Sequence, residues 1–247
     1  MDKALFIAMS GAKHNTLAQA NRANNLANLS TTGFRADFEQ SRSMGVYYGD
    51  GQPTRAYAMT ESPRADFTPG AMVTTNNPLD VAIQGQGFFA VQAPDGSEAY
   101  TRAGNFSVDV NGILRTANGL QVMGASGPIT IPENKKIQIG TDGTISIISD
   151  DQGPEGMVEA GRIKLVDPDL QTLEKGDDGL FRPRNGPARL PAAELTLRSG
   201  MLESSNVNAI EEFTQILSLS RQYEMQVKMM KTAEENSASS AQLLQMS

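Results

Sequence analysis

Few residues of this chain could support catalysis or bind a metal ion. Its 247 residues include no cysteine and one histidine, His14, which excludes disulfides, thiolate chemistry and zinc motifs that need two histidines. His14 falls within a helical pattern, and we interpret it as an exposed helix residue. The acidic pairs Asp150-Asp151 and Asp177-Asp178 lack the spaced ligands and distal glutamate of a calcium loop. The sequence therefore predicts no catalytic residue and no metal site.

One glycine motif formally matches a cofactor-binding loop. Gly85-Gln-Gly87-Phe-Phe-Ala90 fits the pattern G-x-G-x-x-A, which in dinucleotide-binding proteins leads into a helix whose N-terminus binds the pyrophosphate. Here Phe88 and Phe89 begin a β-rich run that continues to the turn at Pro94-Asp95-Gly96, so no helix fits. We interpret Gly85 and Gly87 as a tight connection between strands and predict that no cofactor binds.

The composition excludes further classes of protein. A net charge of −7 is opposite to the basic surface that nucleic-acid binding requires. No stretch approaches the roughly 18 consecutive apolar residues of a membrane-spanning helix. The apolar run Leu5–Met9 is shorter than the roughly 7–15 residues in the apolar part of a secretory leader. We expect either a cytoplasmic protein or one that is exported without a cleaved leader, and composition leaves both open.

The N-terminal segment is predicted to form a long helix. There is no proline from Asp2 to Leu29, and Ser30-Thr-Thr-Gly33 supplies a stop signal with glycine just past the helix end. Apolar or small residues recur at alternating steps of four and three, which is the spacing of helices that wrap around a partner. The residues of this seam that we assign to an assembly interface are Leu5, Met9, Ala12, Ala23 and Leu26.

The C-terminal segment shows the same pattern over a greater length. No glycine or proline occurs from about Asn206 to Gln245, and Ser204 and Ser205 are the expected N-caps. At 1.5 Å per residue this helix would span roughly 60 Å, against about 40 Å for the N-terminal one. The longer helix therefore needs a second partner. Its assembly interface is predicted at Phe213, Ile216, Tyr223, Val227, Met230 and Leu244.

The charges of the two ends also favour pairing. Residues 1–38 carry four basic and two acidic residues, and residues 203–247 carry three basic and six acidic residues. Opposite signs attract, although each surface pair contributes little. We expect the helices to pair in a coiled-coil-like layer; the alternative is two ordinary amphipathic helices on one globular core.

The middle of the chain is predicted to be β. Asn-Gly and Asp-Gly turns at Asp95, Asn111, Asn118, Asp142 and Asn185 separate short β-rich runs, which indicates hairpins. The predicted strands are Val81–Ile83, Phe88–Val91, Phe106–Val110, Ile113–Leu114, Ile129–Ile131, Lys136–Ile139, Thr144–Ile148, Arg162–Val166 and Glu194–Leu197. Their spacing indicates an antiparallel sandwich or a partly open barrel.

The fold class is therefore mixed, mainly β with long terminal α-helices. We predict four segments: an N-terminal assembly helix (1–33), an extended connector with some β character (34–78), a β domain (79–199) and a C-terminal assembly helix (200–247). The connector is assigned because Pro53, Pro63, Pro69 and several glycines interrupt any periodicity there.

Four blocks of the sequence resemble the bacterial flagellar axial proteins, which are the subunits of the rod and hook. Asn24-Asn-Leu-Ala-Asn28-Leu-Ser-Thr-Thr-Gly33-Phe-Arg closes the N-terminal helix, and Pro78-Leu-Asp-Val-Ala-Ile-Gln-Gly-Gln-Gly-Phe-Phe89 opens the β domain. Tyr100-Thr-Arg-Ala-Gly-Asn-Phe106 continues it, and Gly200-Met-Leu-Glu-Ser-Ser-Asn-Val-Asn208 begins the C-terminal helix. The motif residues that carry the resemblance are Asn24, Asn25, Leu26, Ala27, Asn28, Gly33, Phe34, Gly85, Gly87, Phe88, Phe89, Ser205, Asn206 and Val207.

The resemblance implies a structural, non-enzymatic subunit of the flagellar rod, a helical tube that spans the periplasm and transmits motor torque. It implies other rod subunits and the flagellar type III export apparatus as partners, with export that needs no cleaved signal peptide. The opening Met1–Ala12 and the stretch Ala65–Gly70 look most like a proximal rod subunit, and the distal rod protein is the alternative. A soluble β-domain binding protein or enzyme with incidental terminal helices is the alternative from another class.

Overall fold

The computed structural model describes residues 4–39, 41–46, 55–60, 64–132, 136–148, 157–184, 192 and 195–245. The chain divides into two compact units. We call the first the helical unit; it consists of Met1–Ala27, Asp37–Arg64 and Asn208–Ser247. We call the second the β unit; it consists of Asn28–Ala36 and Ala65–Val207.

The helical unit is built on two long helices that pack against each other. Helix α1 covers Ala4–Ala27 and helix α2 covers Ala209–Gln245. Short strand β1 (Asp37–Phe38) precedes an antiparallel hairpin of β2 (Ser41–Val46) and β3 (Arg55–Thr60), and β3 contacts α1. Strand β4 (Arg64–Ala65) follows at the border between the units. In the described residues neither helix is long and apolar enough to span a membrane.

The β unit contains short strands and a single 3₁₀ turn, Leu170–Thr172, in its described residues. The strands are β5 (Met72–Thr74), β6 (Val81–Gln84), β7 (Phe88–Gln92), β8 (Glu98–Thr101), β9 (Phe106–Val108), β10 (Leu114–Thr116), β11 (Gln121–Gly124), β12 (Gly127–Pro128), β13 (Lys136–Ile139), β14 (Thr144–Ile148), β15 (Met157–Arg162), β16 (Leu165–Val166), β17 (Leu173–Lys175), β18 (Phe181–Pro183), β19 (Thr196–Ser199) and β20 (Met201–Glu203).

The largest sheet has the strand order β17-β18-β8-β7-β11-β10-β9, with β12 beside β11 and β16 beside β7. Three smaller sheets pair β13-β14-β15, β19-β6 and β20-β5. Each of these pairs is antiparallel. Among the described strands the order does not return to its start, so the large sheet is open rather than a closed barrel.

The core of the β unit lies on both faces of β7. Phe89 belongs to the largest cluster of buried side chains, where its ring packs edge-on against Phe106 at 5.1 Å between centroids. Phe88, one residue earlier, points to the opposite face and packs against Phe181 at 5.4 Å. Successive strand residues point to opposite faces, so burial of both phenylalanines places packed side chains above and below this strand. Each contributes roughly 2 kcal/mol or more of hydrophobic stabilisation.

The structure corrects several predicted boundaries. Ile129–Ile131 forms an isolated bridge between Thr130 and Ile113 rather than a strand, although the backbone N–H groups of Ile129 and Ile131 donate to the carbonyls of Val122 and Gly112. The strand predicted as Phe106–Val110 ends at Val108, because the Asp109 side chain accepts hydrogen bonds from the backbone N–H groups of Asn111 and Ile113 and turns the chain.

The predicted start of the C-terminal helix is also early. Helix α2 begins at Ala209, and its N-cap is Asn208 rather than Ser204 or Ser205. The Asn208 side-chain oxygen accepts a hydrogen bond from the Ile210 N–H at 3.1 Å, as an N-cap residue does. The Ser205 hydroxyl instead accepts from the N–H of Val207, before the helix.

Some strands of the β unit were not predicted, and some predicted features lie outside the described residues. The strands missed within the β unit include Glu98–Thr101, Gln121–Gly124, Leu173–Lys175 and Phe181–Pro183. The acidic pair Asp150-Asp151, the turn Asn185-Gly186 and Glu194 lie outside the described residues.

Candidate assembly interface

The side of α1 that is buried differs from the predicted seam by about one position. Ala8 and Ala12 are 2% and 6% exposed, and Asn25 is fully buried. Of the predicted interface residues, Ala12 is thus buried and Leu26 is half-buried. The others, Leu5, Met9 and Ala23, are exposed. They therefore lie on a surface of the helix that this chain leaves open.

Helix α2 keeps three of its six predicted interface residues exposed. Phe213, Tyr223 and Val227 are exposed, and Ile216 and Met230 are half-buried. The side chain of Leu244 lies outside the described residues. Further exposed large apolar side chains on the two helices are Phe6, Leu17, Ile210, Leu217, Met225, Met229 and Leu243. Exposed apolar side chains that cluster into large patches commonly mark a protein–protein interface.

The two helices run antiparallel with a defined register. Gly11 lies opposite Gln226: a methyl group added at Gly11 would come within 2.9 Å of the Gln226 amide nitrogen. Further along, the Arg22 guanidinium lies 3.1 Å from the Glu212 carboxylate. In this register Ala4 comes level with about residue 232 of α2. About 13 residues at the end of α2, or roughly 20 Å, extend past the start of α1.

A buried asparagine organises the end of the helical unit where α1 ends and α2 begins. The Asn25 amide nitrogen donates to the Asp37 carbonyl at 2.8 Å and to the Glu212 carboxylate at 3.1 Å. Its amide oxygen accepts from the Asp37 N–H at 2.9 Å. Asn25 lies in the last turns of α1, so the motif that closes this helix also joins it to α2.

In the β unit, a buried carboxylate binds two buried arginines. Glu203 is 1% exposed and lies 2.6 Å from the guanidinium of Arg35 and 2.6 Å from that of Arg102. The backbone N–H of Gly70 also donates to this carboxylate, at 2.9 Å. Burial lowers the pKa of Arg102, and the attraction of Glu203 opposes that change. Charged groups this deeply buried require partners, so Glu203 holds distant segments of the chain together.

Gly33, from the motif that follows α1, packs directly on this cluster. Its N–H donates to the Glu203 carbonyl at 2.8 Å. Its φ is +67°, and a methyl group there would lie 2.4 Å from the Arg102 backbone carbon. Glycine is the residue that accepts both the left-handed backbone and the close approach.

The glycine pair that resembles a cofactor loop connects β6 to β7, as predicted. Arg102 donates to the carbonyl oxygens of Gly87 at 2.7 Å and Gly85 at 3.0 Å. Gly87 has a φ of +153°, and a methyl group there would lie 2.6 Å from a Leu195 methyl carbon. The segment after the glycines is strand β7, so the loop wraps around an arginine of this chain and does not precede a helix.

The other motif residues make the following contacts. Asn206 donates to the carbonyls of Asp66 and Thr68 and accepts from the Ala36 N–H. Lys175 lies over the ring of Phe34 at 4.0 Å. The remaining placements are simple: Ala27 ends α1, Asn28 accepts a hydrogen bond from the Thr31 hydroxyl, and Ser205 and Val207 are buried.

Sequence reasoning missed the Arg35–Glu203–Arg102 cluster. All three residues stand inside the blocks that carry the family resemblance, but arginine and glutamate are usually exposed. Their separation along the chain also leaves no local signal. The one available indication was the position of Arg35 directly after Gly33-Phe34.

The described residues contain no group of three or more histidine, cysteine, aspartate or glutamate side chains able to hold a metal ion. A small cavity of about 50 Å³ is lined by polar residues such as Thr31 and Asn105 together with apolar ones such as Leu120 and Leu180. That volume is far below the roughly 300–1,000 Å³ of small-molecule sites, whereas an open depression of about 510 Å³ lies beside Val108, Gly112 and Ile137 and another of about 410 Å³ lies along α2 at Leu217. The described residues also show exposed apolar side chains on the two helices and a buried ion-pair cluster in the β unit.

Comparison with known proteins shows which class of protein the chain resembles. Residues 82–147 match the family model of the flagellar hook protein FlgE/F/G D1 domain, and residues 198–243 match that of the flagellar basal body rod FlgEFG protein C-terminal region. The first match contains Gly85, Gly87 and Arg102, and the second contains Glu203 and Asn206. Both models describe flagellar hook and rod proteins.

Relatives that are similar over the whole length of the chain show which rod protein family it belongs to. The chain is 42% identical to the flagellar basal-body rod protein FlgF of Escherichia coli K12, with 100% of each chain covered. It is 37% identical to FlgF of Caulobacter vibrioides, over 99% of this chain and 98% of the relative. It is 35% identical to the rod protein FlgG of the same organism, over 98% and 99%. The chain belongs to the family of FlgF-like flagellar basal-body rod proteins.

Proposed function

We propose that this chain is a structural subunit of the proximal rod of the bacterial flagellar basal body. The observation that carries the proposal is the full-length similarity to FlgF proteins at 37–42% identity. The physical support is the open apolar surface of α1 and α2. A chain that keeps Met9, Phe213 and Met229 exposed gains hydrophobic stabilisation when copies or neighbours cover them.

In this proposal the terminal helices mediate assembly into a helical shaft that spans the periplasm and passes motor torque to the hook and filament. Neighbouring proximal rod proteins and the distal rod protein cover the exposed faces of α1 and α2. The overhang of α2 past α1 gives one helix a surface that its own chain leaves uncovered. The subunit reaches the periplasm through the flagellar type III export apparatus without a cleaved signal peptide, and it has no enzymatic role.

A distal rod role is the second candidate, because a FlgG protein is also similar over the full length. FlgF relatives reach the higher identity, 42% against 35%, which favours the proximal role. Two bacterial strains separate the candidates: one lacking its FlgF and one lacking its FlgG. We expect this chain to restore swimming in the first strain and not in the second.

The assembly mechanism is tested in the first strain by deletion of residues 1–30. The shortened chain should not restore swimming, because α1 and its contacts are gone. A Glu174→Gln variant is a matched control, since Glu174 is half exposed and forms a surface ion pair with Arg184; it should swim normally. Full swimming with residues 1–30 deleted would contradict assembly through the terminal helices.

A further inference from the structure

The chain passes between its two units four times. The peptide bonds that cross are Ala27–Asn28, Ala36–Asp37, Arg64–Ala65 and Val207–Asn208. These bonds are covalent paths along which force applied to one unit reaches the other. How each unit holds the ends of its crossings therefore matters for a protein that carries torque.

In the helical unit, Asn25 holds the crossing at Asp37. Its side-chain amide pairs with both backbone groups of Asp37, accepting from the N–H at 2.9 Å and donating to the carbonyl at 2.8 Å. Its second N–H is donated to Glu212, in the first turn of α2. One fully buried amide thus joins the end of α1, the crossing residue Asp37 and the start of α2. Both of its N–H donors are used, and its oxygen accepts one hydrogen bond.

In the β unit, Asn206 holds the preceding residue of the same crossing. Its side-chain oxygen accepts the Ala36 N–H at 2.8 Å, and its nitrogen donates to the Asp66 carbonyl at 2.9 Å. The Asp66 N–H in turn donates to the Ala36 carbonyl at 2.8 Å. The amide therefore extends a strand-like ladder of backbone hydrogen bonds. It joins three segments that lie next to crossings, at Ala36, Asp66 and Asn206 itself.

We propose that Asn25 and Asn206 are a matched pair of positioning residues that anchor the two sides of the Ala36–Asp37 crossing. The successive N–H groups of Ala36 and Asp37 are each taken by a side-chain amide, one in each unit. Each amide also ties its side of the crossing to another crossing segment of the same unit. This inference rests on the proposed rod function, because firmly held crossings let torque pass without local opening of the chain.

Amide hydrogen exchange of the full-length protein tests the anchors directly. Asn25→Ala should speed exchange at Asp37 by about tenfold and leave Ala36 protected. Asn206→Ala should do the reverse. Asn21→Ala is the matched control, since Asn21 is on the same helix and donates to the Glu39 side chain rather than to a crossing; it should change neither rate. Unchanged exchange at Asp37 and Ala36 in both variants would overturn the proposal.

A second substitution keeps the test informative if the alanine variants do not fold. Asn25→Asp preserves the acceptor for the Asp37 N–H but places a carboxylate against that of Glu212. The charge repulsion should speed exchange in the first turn of α2 while Asp37 stays protected. Adding Glu212→Gln restores a donor to the new carboxylate, so exchange in α2 should return towards the wild-type rate. Absence of this rescue would contradict a direct Asn25–Glu212 linkage.

Swimming of the strain that lacks its FlgF tests whether the two anchors matter for the transmission of torque. The Asn25→Ala and Asn206→Ala chains should swim less than wild type while the Asn21→Ala chain swims normally, with all three exported equally. Wild-type swimming of both anchor variants would overturn the role in torque. If the wild-type chain itself does not restore swimming, the proposed function fails, whereas the exchange rates still decide whether the anchors exist.

Discussion

The two units of this protein solve the burial of apolar surface in opposite ways. In the β unit, Phe89, Val91 and Tyr100 are fully buried, and the charged residues Arg35, Arg102 and Glu203 are enclosed together. In the helical unit, Phe6 and Met9 on α1 and Phe213 on α2 remain more than half exposed. A single chain thus completes one core and leaves the other incomplete. We therefore predict that the β unit is the more stable of the two, and that the helices gain stability when neighbours cover them.

The largest expected effect is a loss of stability of the β unit. Glu203→Gln removes the carboxylate between two arginines that are each 3% exposed, leaving buried positive charge without its partner. We expect a loss of about 3–5 kcal/mol in the free energy of unfolding, measured by urea denaturation.

The control for this prediction is Glu174→Gln, which makes the same chemical change in an exposed pair with Arg184. Its cost should stay below about 1 kcal/mol. Equal losses in the two variants would mean that burial of the Glu203 cluster adds no stability beyond that of a surface ion pair.

The second prediction contrasts two alanines of α1. Ala12→Glu places a carboxylate in the buried side of the helix and should weaken the pairing of α1 with α2 by about 2 kcal/mol or more. Ala23→Glu alters an exposed position, so the isolated chain should fold normally. From the seam pattern we predict that it nevertheless blocks assembly, giving exported subunit and cells that do not swim.

Circular dichroism of the helices and swimming assays separate the two alanine variants. Normal swimming of Ala23→Glu would mean that Ala23 faces solvent in the rod and that the heptad phase is wrong. Unchanged helix stability in Ala12→Glu would contradict the burial of that position.

How much of this contrast the sequence predicts depends on how local each signal is. Helix α1 was predicted from Asp2 to Leu29 and is described over Ala4–Ala27, because helix period and stop residues are local. Strand Glu98–Thr101 was missed because the charged residue at its start and its short length hide the alternation. The Arg35–Glu203–Arg102 cluster was missed because its residues meet only through the fold. Which face of α1 is buried also required the register with α2.

The third prediction concerns the glycine loop between β6 and β7. Gly87→Ala should destabilise the β unit by about 1–3 kcal/mol, because its φ is +153° and the new methyl group meets Leu195. Gly85→Ala keeps its neighbourhood open but has a φ of +93°, so the cost should be smaller, about 1 kcal/mol.

Thermal unfolding measures both glycine variants, and added nicotinamide or flavin nucleotide should not change the melting temperature of the wild type. Only a ligand that prefers the folded state raises that temperature. A nucleotide-dependent rise that disappears in Gly87→Ala would reopen an enzymatic interpretation of this loop.

The smallest expected effect is a loss of stability at low pH that is confined to the β unit. A hydrogen bond from Arg115 lowers the pKa of the half-buried Asp109 carboxyl, and the N–H groups of Ile113 and Asn111 add to it. A carboxyl whose pKa is lowered by folding stabilises the folded state above its ordinary pKa of about 4, and this contribution disappears as the pH falls through the lowered value. Stability of the turn between β9 and β10 should therefore decrease slightly below about pH 4, and Asp109→Asn should remove that part of the pH dependence.

Amide exchange of β9 and β10 at pH 5 and pH 3 measures this change in stability. Arg115→Gln is expected to act in the same direction as Asp109→Asn, because it removes the largest cause of the pKa shift. The exchange of α2 should not respond to either substitution, since Asp109 belongs to the β unit; an equal response in α2 would mean that the two units do not unfold separately.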